Sequence, residues 1–294
     1  MLSISKLPSA GLGNKLFSWA AGAIFAKKNN CKNIVLGMTK FHIGPWIRFE
    51  RSKRFYKGYF KNERLFHLGY FVKSKTIMFQ KESSKVTDFN SNAVFNEVPN
   101  WEDHFIGLRE HRAFIIDYFF ESLYPSLRQE AELVPFSEIT VHIRMGDFRN
   151  LGPDEDFAKV GAVRTPTAYF VEMINMLRKH IGRNVPVTVF SDGSDESLNE
   201  ILSLPNISRQ TNTKDILDII GLSKSKVLIT SAGSTFSKWA GFLSENVIID
   251  HFQHIHKPIR DDVTNKIMYE GPLSPGTEIN DYPLLSSNLV SLFQ

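Results

Sequence analysis

An arginine and an aspartate stand close together in the segment HIRMGDF, residues 142–148. The guanidinium of Arg144 is planar and permanently charged, and its donors match two oxygens of a phosphate group. Gly146 permits a sharp backbone turn, and Asp147 is placed to orient a neighbouring donor. The segment therefore predicts a phosphate-binding loop. A plain Arg144–Asp147 salt bridge without any ligand fits the same spacing.

A second candidate is the glycine-bearing segment AGLGN, residues 10–14. Gly11 and Gly13 precede a helical pattern, so a ligand can approach backbone N–H groups at the positive end of the helix. We include Asn14 in the predicted donor contacts. The segment is neither a complete G-x-G-x-x-G nor a P-loop, and a tight strand-to-helix turn is the alternative.

Two further polar segments, SDG at 191–193 and SAGSTFS at 231–237, carry hydrogen-bonding groups. Ser191 and Asp192 offer oxygens to a ribose or a base. Ser234 and Thr235 begin a helical pattern, where they suit either helix capping or contact with an anion. Phe236 is a candidate donor contact, with core packing as its alternative.

The sequence indicates no metal site. His251, His254 and His256 match no zinc spacing. The acidic run Asp154, Glu155 and Asp156 is predicted to lie in a loop rather than at a strand end. We therefore expect neither a metal nor another cofactor.

The elements that must position these residues alternate between strand and helix. The chain opens as strand, loop, helix and strand, and the pattern from residue 138 onward is typical of a doubly wound α/β fold. We expect two Rossmann-like domains, 1–135 and 136–294. AFIIDYFFESLYP is predicted to be a strand running into a turn, and Thr165 or Thr167 is predicted to cap the next helix. Ligands of such sheets bind beyond the carboxyl ends of the strands, where the segments containing Arg144, Asp192 and Ser234 meet.

Composition limits the class of protein. The 294 residues are 42% hydrophobic with a net charge of +4, which suits a globular protein that binds an anion. With Cys31 as its single cysteine, the chain cannot form an internal disulfide. No run of about 20 apolar residues appears, so we expect a cytoplasmic protein or one that is peripheral on the cytoplasmic face of a membrane. The basic and aromatic stretch 46–72 is an expected insertion, and its part from Arg48 to Lys61 is predicted to face an acidic membrane or a lipid-diphosphate acceptor.

Together these motifs resemble the alpha-1,2-fucosyltransferase family, glycosyltransferase family 11. The pattern G-G-L-G-N-Q-hydrophobic-F is similar to residues 9–17, H-x-R-R-x-D to 142–147, F-S-D-D to 190–193, S-x-S-S-F-S-W-W-A to 231–240, and G-Y-F-Q-S to 117–122. The motifs occur in the family's order over most of the chain. The chain departs from them in Ser9-Ala10 for the paired glycines, Met145 for the second arginine, Gly193 for the second aspartate and Lys238 for a tryptophan.

The resemblance implies a GT-B-like fold, with the N-terminal domain on the acceptor side and the C-terminal domain binding the donor. It implies an inverting transfer of fucose from GDP-fucose to a hydroxyl of a glycan or lipid-linked oligosaccharide, here the 2-OH of galactose, without a metal. Arg144 would stabilise the leaving diphosphate, and His142 would join the donor site. The base that takes the acceptor proton stays open among Asp147, Asp154, Glu155 and Asp156.

Two other functions remain open at this point. The first is a glycosyltransferase with the same scaffold that uses another donor or forms another linkage. The departures from the family motifs at Met145 and Gly193 support this alternative. A non-catalytic protein that binds glycans or a membrane surface is the second, supported by the stretch 46–72. Nucleic-acid binding is the least favoured, because no recognised module is present.

Overall fold

The computed structural model describes residues 1–38, 56, 58–64, 80–81, 92–211, 213–254 and 256–294. The chain divides into two compact units, Met1–Glu132 and Leu133–Gln294. Each unit contains its own sheet. Most of the basic stretch 46–72, including its residues Arg48 to Arg54, lies outside the described residues.

The first unit is a parallel sheet with helices. Its elements are β1 (Leu2–Lys6), α1 (Leu12–Lys28), β2 (Lys32–Leu36), β3 (Glu63–Arg64), β4 (Gln80–Lys81), β5 (Ala93–Phe95), α2 (Arg112–Ser122) and α3 (Pro125–Leu133), whose last residue falls just past the division. The strand order is β3-β2-β1-β5-β4, and each neighbouring pair is parallel. α1 lies close against β1, since a Cβ added at Gly22 would overlap the hydroxyl of Ser5.

One prediction in this unit is wrong: AFIIDYFFESLYP forms most of α2 rather than a strand. The segment is a run of aromatic and β-branched residues, which periodicity alone cannot separate from a buried helix. In the folded unit Ile115, Phe119 and Ser122 are buried at helical spacing. Phe119 packs edge-on against Trp19 of α1, and this tertiary contact stabilises the helical conformation.

The second unit is a larger parallel sheet. Its elements are β6 (Ser137–Ile143), α4 (Thr167–Ile181), β7 (Val187–Ser191), α5 (Asn199–Leu202), β8 (Ile207–Arg209), α6 (Asp215–Ser223), β9 (Ser225–Ile229), α7 (Thr235–Phe242), β10 (Val247–His251), α8 (Asp262–Ile267), β11 (Glu270–Leu273) and α9 (Pro283–Phe293). The order is β11-β10-β9-β6-β7-β8, with every neighbouring pair parallel. The predicted α/β class with parallel sheets is confirmed.

β6 lies inside this sheet and brings the polar segments together. Ile139, Val141 and Ile143 are fully buried in the apolar core with α4. The strand pairs Ile143 with Ser191 of β7 and Val141 with Ile229 of β9. The residues that follow β6, β7 and β9 therefore leave the sheet at one carboxyl edge, as the pattern predicts.

The predicted helix caps differ from those observed. The residue before α4 is Pro166, which has no side chain to cap the helix. The Thr165 hydroxyl instead accepts the N–H of Ala232 at 3.0 Å, and the Thr167 hydroxyl donates to Glu200 at 2.5 Å. The two threonine hydroxyls that the sequence predicts as helix caps therefore form tertiary hydrogen bonds instead.

Candidate functional site

Arg144 lies just beyond the end of β6, between two carboxylates. Its Nη2 donates to Asp147 Oδ1 at 2.7 Å, and its Nη1 donates to Asp192 Oδ2. The three side chains are 19–33% exposed, so the cluster sits at the surface of the edge. The predicted salt bridge with Asp147 is present, and Asp192 adds a second. The guanidinium plane is thereby fixed before any ligand arrives.

Asp192 also binds the backbone of the loop after β6. Its Oδ1 accepts the N–H of Met145 at 2.7 Å and that of Gly146 at 3.1 Å. A Cβ at Gly146 would overlap the Asp192 carboxylate. Glycine is therefore required here for close approach, beyond the sharp turn we expected. The two N–H groups and the guanidinium form an anion cradle, and Asp192 occupies it.

Residues outside the predicted set hold this loop in place. Ser231 Oγ accepts the N–H of Arg144 and donates to the carbonyl of His142, both at 2.8 Å. Arg164 Nε donates to the carbonyls of Phe148 at 2.8 Å and Met145 at 3.1 Å. Ser231 lies within the motif at 231–237, so the sequence could have indicated its role. Arg164 lies outside every motif, so the sequence gave no indication of its role.

The loop after β7 has its own support from Arg209, at the end of β8. Its guanidinium donates to the carbonyls of Gly193 at 2.6 Å and Ser191 at 3.2 Å, and pairs with Asp195. Ser191 Oγ donates to the carbonyl of Ile143 at 2.7 Å. Ser191 therefore joins β7 to β6, a different task from the donor contact predicted for it.

His142 is enclosed rather than open to a ligand. Its ring stacks on Phe236, with centroids 5.1 Å apart, and the residue is 5% exposed. Burial lowers the pKa of His142 to about 3, with Asp192 opposing and Arg144 adding to the shift. The imidazole is therefore neutral. Phe236 is half-buried against it.

α7 begins at the same edge. Ser234 is its N-cap residue, yet its side chain makes no capping hydrogen bond. Gly233 has a φ of +66°, the left-handed conformation that favours glycine, and a Cβ there would meet no atom within 4 Å. Thr235 is half-buried at the first helical position. The helix thus presents its positive end on the side where Arg144 lies.

The acidic run after this loop is held in ion pairs. Arg149 donates to both oxygens of Glu155, at 2.5 and 2.6 Å, and these bonds lower the pKa of Glu155 to about 2. The Asp156 carboxylate pairs with Lys159 at 3.1 Å, which lowers its pKa. Asp154 lies exposed beside them. The run is a surface loop, as predicted, and not part of the Arg144 cluster.

In the first unit, Gly11 is the N-cap residue of α1 and Gly13 is buried. A Cβ at Gly11 would meet no atom within 4 Å, so packing does not require a glycine there. The next residue, Leu12, donates its N–H to the Tyr56 hydroxyl at 3.1 Å. Asn14 is half-buried on the same turn. This segment belongs to the first unit, whereas Arg144 belongs to the second.

The described part of the chain contains neither a cluster of metal ligands nor a helix suited to spanning a membrane. No group of three or more His, Cys, Asp or Glu side chains there is arranged to hold a metal ion. His251 ends β10, His254 contacts the carbonyl of Phe157, and His256 lies 3.3 Å from Asp250. Among the helices described, none has the length and apolarity needed to span a bilayer.

Two departures from the family motifs touch each other. A Cβ at Gly193 would lie 2.9 Å from Met145 Cγ and 2.9 Å from Ser197 Oγ. Met145 is buried in the apolar core of the unit. The family pattern has an arginine at position 145 and an aspartate at position 193. This chain has Met145 and Gly193 there, and the absence of a side chain at Gly193 leaves room for the methionine.

Comparison of the sequence with known protein families gives one match, which covers most of the chain. The profile of glycosyl transferase family 11 matches residues 9–258. The match includes the motif segments of both units. The search of curated proteins found no match.

Solved structures with a similar course of the chain share little sequence with it. The alpha-1,6-fucosyltransferase NodZ soaked with GDP-fucose is 13% identical, with a TM-score of 0.49, over 87% of this chain and 97% of NodZ; a NodZ structure is from Bradyrhizobium. POFUT1 in complex with GDP is 12% identical, with a TM-score of 0.45, over 94% and 98%. An Arabidopsis thaliana FUT1 mutant with GDP is 13% identical, with a TM-score of 0.43, over 90% and 72%. The family profile, rather than these distant similarities, identifies the relatives of the chain.

Proposed function

Because the chain belongs to glycosyl transferase family 11 and is a glycosyltransferase, we propose that it transfers fucose from GDP-fucose to a glycan. We propose the 2-OH of galactose as the acceptor position and inversion at the anomeric carbon, as the motif resemblance implies. The observation that carries the donor site is the fixed guanidinium of Arg144, placed at the carboxyl edge of a parallel sheet beside the start of α7.

Transfer of fucose from GDP-fucose requires stabilisation of the leaving diphosphate. Negative charge develops on the phosphate as the sugar leaves with oxocarbenium character. Asp147 and Asp192 hold Arg144 in one orientation, so little reorganisation is needed when that charge develops. The N-terminal N–H groups of α7 add a positive field at the same edge. A preorganised donor of this kind contributes about 3–4 kcal/mol to transition-state stabilisation.

The acceptor hydroxyl needs a base within hydrogen-bond reach. An effective base has a pKa near the working pH. The pKa of Glu155 is lowered to about 2 and that of Asp156 is lowered as well, because each is engaged by a cation. Asp147 is likewise bonded to a cation, Arg144, so these ion pairs do not rank the four candidate bases. Asp147 has the advantage of lying within the Arg144 cluster.

We further propose that transfer needs no metal, since a guanidinium and helix N–H groups can neutralise the diphosphate. Peripheral contact with a membrane, cytoplasmic location and a lipid-linked acceptor also stay proposals. The membrane contact and the lipid-linked acceptor are supported by the basic stretch 46–72 and the mild positive charge of the chain.

The direct test is an assay of the purified chain with GDP-fucose and lactose. Mass spectrometry of the product detects transfer, and NMR assigns the linkage and the anomeric configuration. We expect an α-1,2-fucosylated galactose, formed at the same rate with EDTA. Transfer from UDP- or CMP-sugars instead would overturn the donor. Restoration by Mg²⁺ after loss in EDTA would overturn metal independence, and binding without transfer would favour a non-catalytic function.

A further inference from the structure

The segment that follows β5, residues 96–111, leaves the carboxyl edge of the first sheet. β5 pairs in parallel with β1, and β1 leads into the Gly11 turn at the start of α1. Both segments therefore leave the same edge. This is where parallel α/β sheets bind ligands.

The segment is firmly attached to α1. Ser18 Oγ donates to the carbonyl of Glu97 at 3.1 Å. Phe105 is fully buried and packs edge-on against Phe17, with ring centroids 5.1 Å apart. The ring of His104 also stacks on Phe17, with ring centroids 5.4 Å apart. The segment thus has a defined position beside the first two turns of α1.

Large apolar side chains of this attached segment nevertheless point to solvent. Trp101 is 53% exposed and Ile106 is 55% exposed. By contrast, Trp19 and Trp239 are fully buried in their cores. Trp101 is flanked by the exposed side chains of Asn100 and Glu102. An indole held open to solvent gains nothing for the fold, since burial is what stabilises it.

The surroundings of Trp101 indicate the chemical class of its ligand. A sugar ring has an apolar face of C–H groups that lies against an indole, and hydroxyls at its rim that bond to amides and carboxylates. Asp103 is paired with Arg109, and the exposed carboxylates Glu97, Glu102 and Glu110 make the segment acidic, which disfavours a phosphate or an acidic lipid. The features fit a neutral sugar.

We propose that Trp101 is the platform on which a neutral sugar ring of the glycan acceptor stacks, with Asn100 and Glu102 bonding to its hydroxyls. The proposal rests on the transferase function proposed above. It assigns acceptor binding in the first unit to the segment 96–111, separately from the basic stretch 46–72.

Binding of lactose, measured by saturation-transfer NMR, tests the platform without needing turnover. Trp101→Ala should abolish the saturation transfer to the galactose ring, and Trp101→Phe, which keeps a smaller ring, should retain part of it. Ile267→Ala is the matched control, because Ile267 is 65% exposed in the second unit. In the transfer assay, Trp101→Ala should raise the KM for lactose roughly tenfold or more and leave GDP affinity unchanged.

Lactose binding that is equal in wild type and Trp101→Ala would overturn the platform, as would a lactose KM that does not change. Melting temperatures of all three variants should match wild type, because the replaced side chains are exposed. If wild type transfers no fucose but binds lactose through Trp101, the proposed function fails while the platform stands. If fucose transfer is present and insensitive to Trp101, the platform fails alone.

Discussion

The carboxyl edges of the two parallel sheets have different chemistry. At the edge of the second sheet, Arg144 is bonded to Asp147 and Asp192, so charge is concentrated and fixed. At the edge of the first sheet, the buried cation Lys15 donates to the backbone carbonyls of Pro8 at 3.0 Å and Gly37 at 2.7 Å. Both of these hydrogen bonds of Lys15 hold loops, and the described residues of this edge include the exposed indole of Trp101.

The difference matches the two kinds of substrate that a glycosyltransferase joins. A nucleotide-sugar donor carries charge that increases during the reaction, so it benefits from fixed ionic donors. A neutral glycan offers hydroxyls and an apolar ring face, which an open aromatic surface suits. The same fold thus provides two edges, and side chains at the strand ends decide what each edge can bind.

The largest effect should come from Arg144. We expect Arg144→Lys to be nearly as damaging as Arg144→Ala, because lysine keeps the charge but cannot donate to two partners as a planar fork. Since the phosphate gains its charge as the sugar leaves, kcat should fall roughly 10²–10³-fold, the scale for one preorganised donor. Steady-state kinetics with GDP-fucose measures the loss.

Folding is the control for these two variants. Circular dichroism and the melting temperature should change little, because the guanidinium is partly exposed and outside the apolar core. Retention of most activity in Arg144→Lys would reduce Arg144 to a general positive charge. Unfolding of both variants would show that the pair with Asp192 serves stability, and the catalytic role would be lost.

Asp192→Asn should have the next largest effect. The amide keeps the size of the side chain, but it offers one acceptor oxygen where the carboxylate binds Arg144 and two backbone N–H groups. Losing charge-assisted hydrogen bonds costs about 1.5–3 kcal/mol, so kcat should fall roughly 10–100-fold. An unchanged kcat would mean that the Arg144 guanidinium and the loop after β6 are held in place without the charge of the Asp192 carboxylate.

Much of this edge could be predicted from the sequence, and the reasons are local. Arg144, Asp192 and Ser234 follow apolar strands, so alternation and the parallel-sheet rule place them together. The helix α2 and the caps of α4 were predicted wrongly, because Trp19 and Ala232 decide them from distant parts of the chain.

Contacts within the site were also beyond prediction. The sequence could not tell that His142 is enclosed by Phe236, or that Asp192 rather than a ligand lies against Gly146. Arg164 and Arg209 support two loops through backbone carbonyls, which are invisible in a motif. Strands β8 and β11 were not predicted, since Ile207–Arg209 and Glu270–Leu273 are short and each contains few apolar residues.

Gly193→Ala should lower stability, whereas Gly11→Ala at the other edge should not. The new Cβ at 193 would press on Met145 Cγ and Ser197 Oγ, each at 2.9 Å, but at 11 it would meet open space. Overpacking costs about 1–3 kcal/mol. Chemical denaturation measures both variants. Equal unfolding free energies would show that the two edges tolerate side chains alike, contrary to the comparison.

A double-mutant cycle sharpens this result. Met145→Ala relieves the contact, so its combination with Gly193→Ala should lose less stability than the sum of the single changes. Additive losses would show that the two departures from the family motifs are independent.

Glu155→Gln should have the smallest effect. The Glu155 carboxylate is paired with Arg149 on a surface loop, and such solvent-screened pairs contribute little to stability. We expect kcat and its pH profile to stay within about threefold of wild type, in contrast to Asp192→Asn. A loss near 10³-fold would instead identify Glu155 as the base and make its ion pair a resting arrangement.

The central claim, that the edge around Arg144 binds the diphosphate of a guanine nucleotide, is tested most directly by calorimetry in EDTA. GDP, UDP and CMP are titrated into wild type, Arg144→Ala and Trp101→Ala. We expect GDP to bind wild type most tightly, Arg144→Ala to weaken GDP binding roughly 10–100-fold through lost charged hydrogen bonds, and Trp101→Ala to match wild type. UDP binding as tight as GDP, or GDP binding that does not depend on Arg144, would contradict the account.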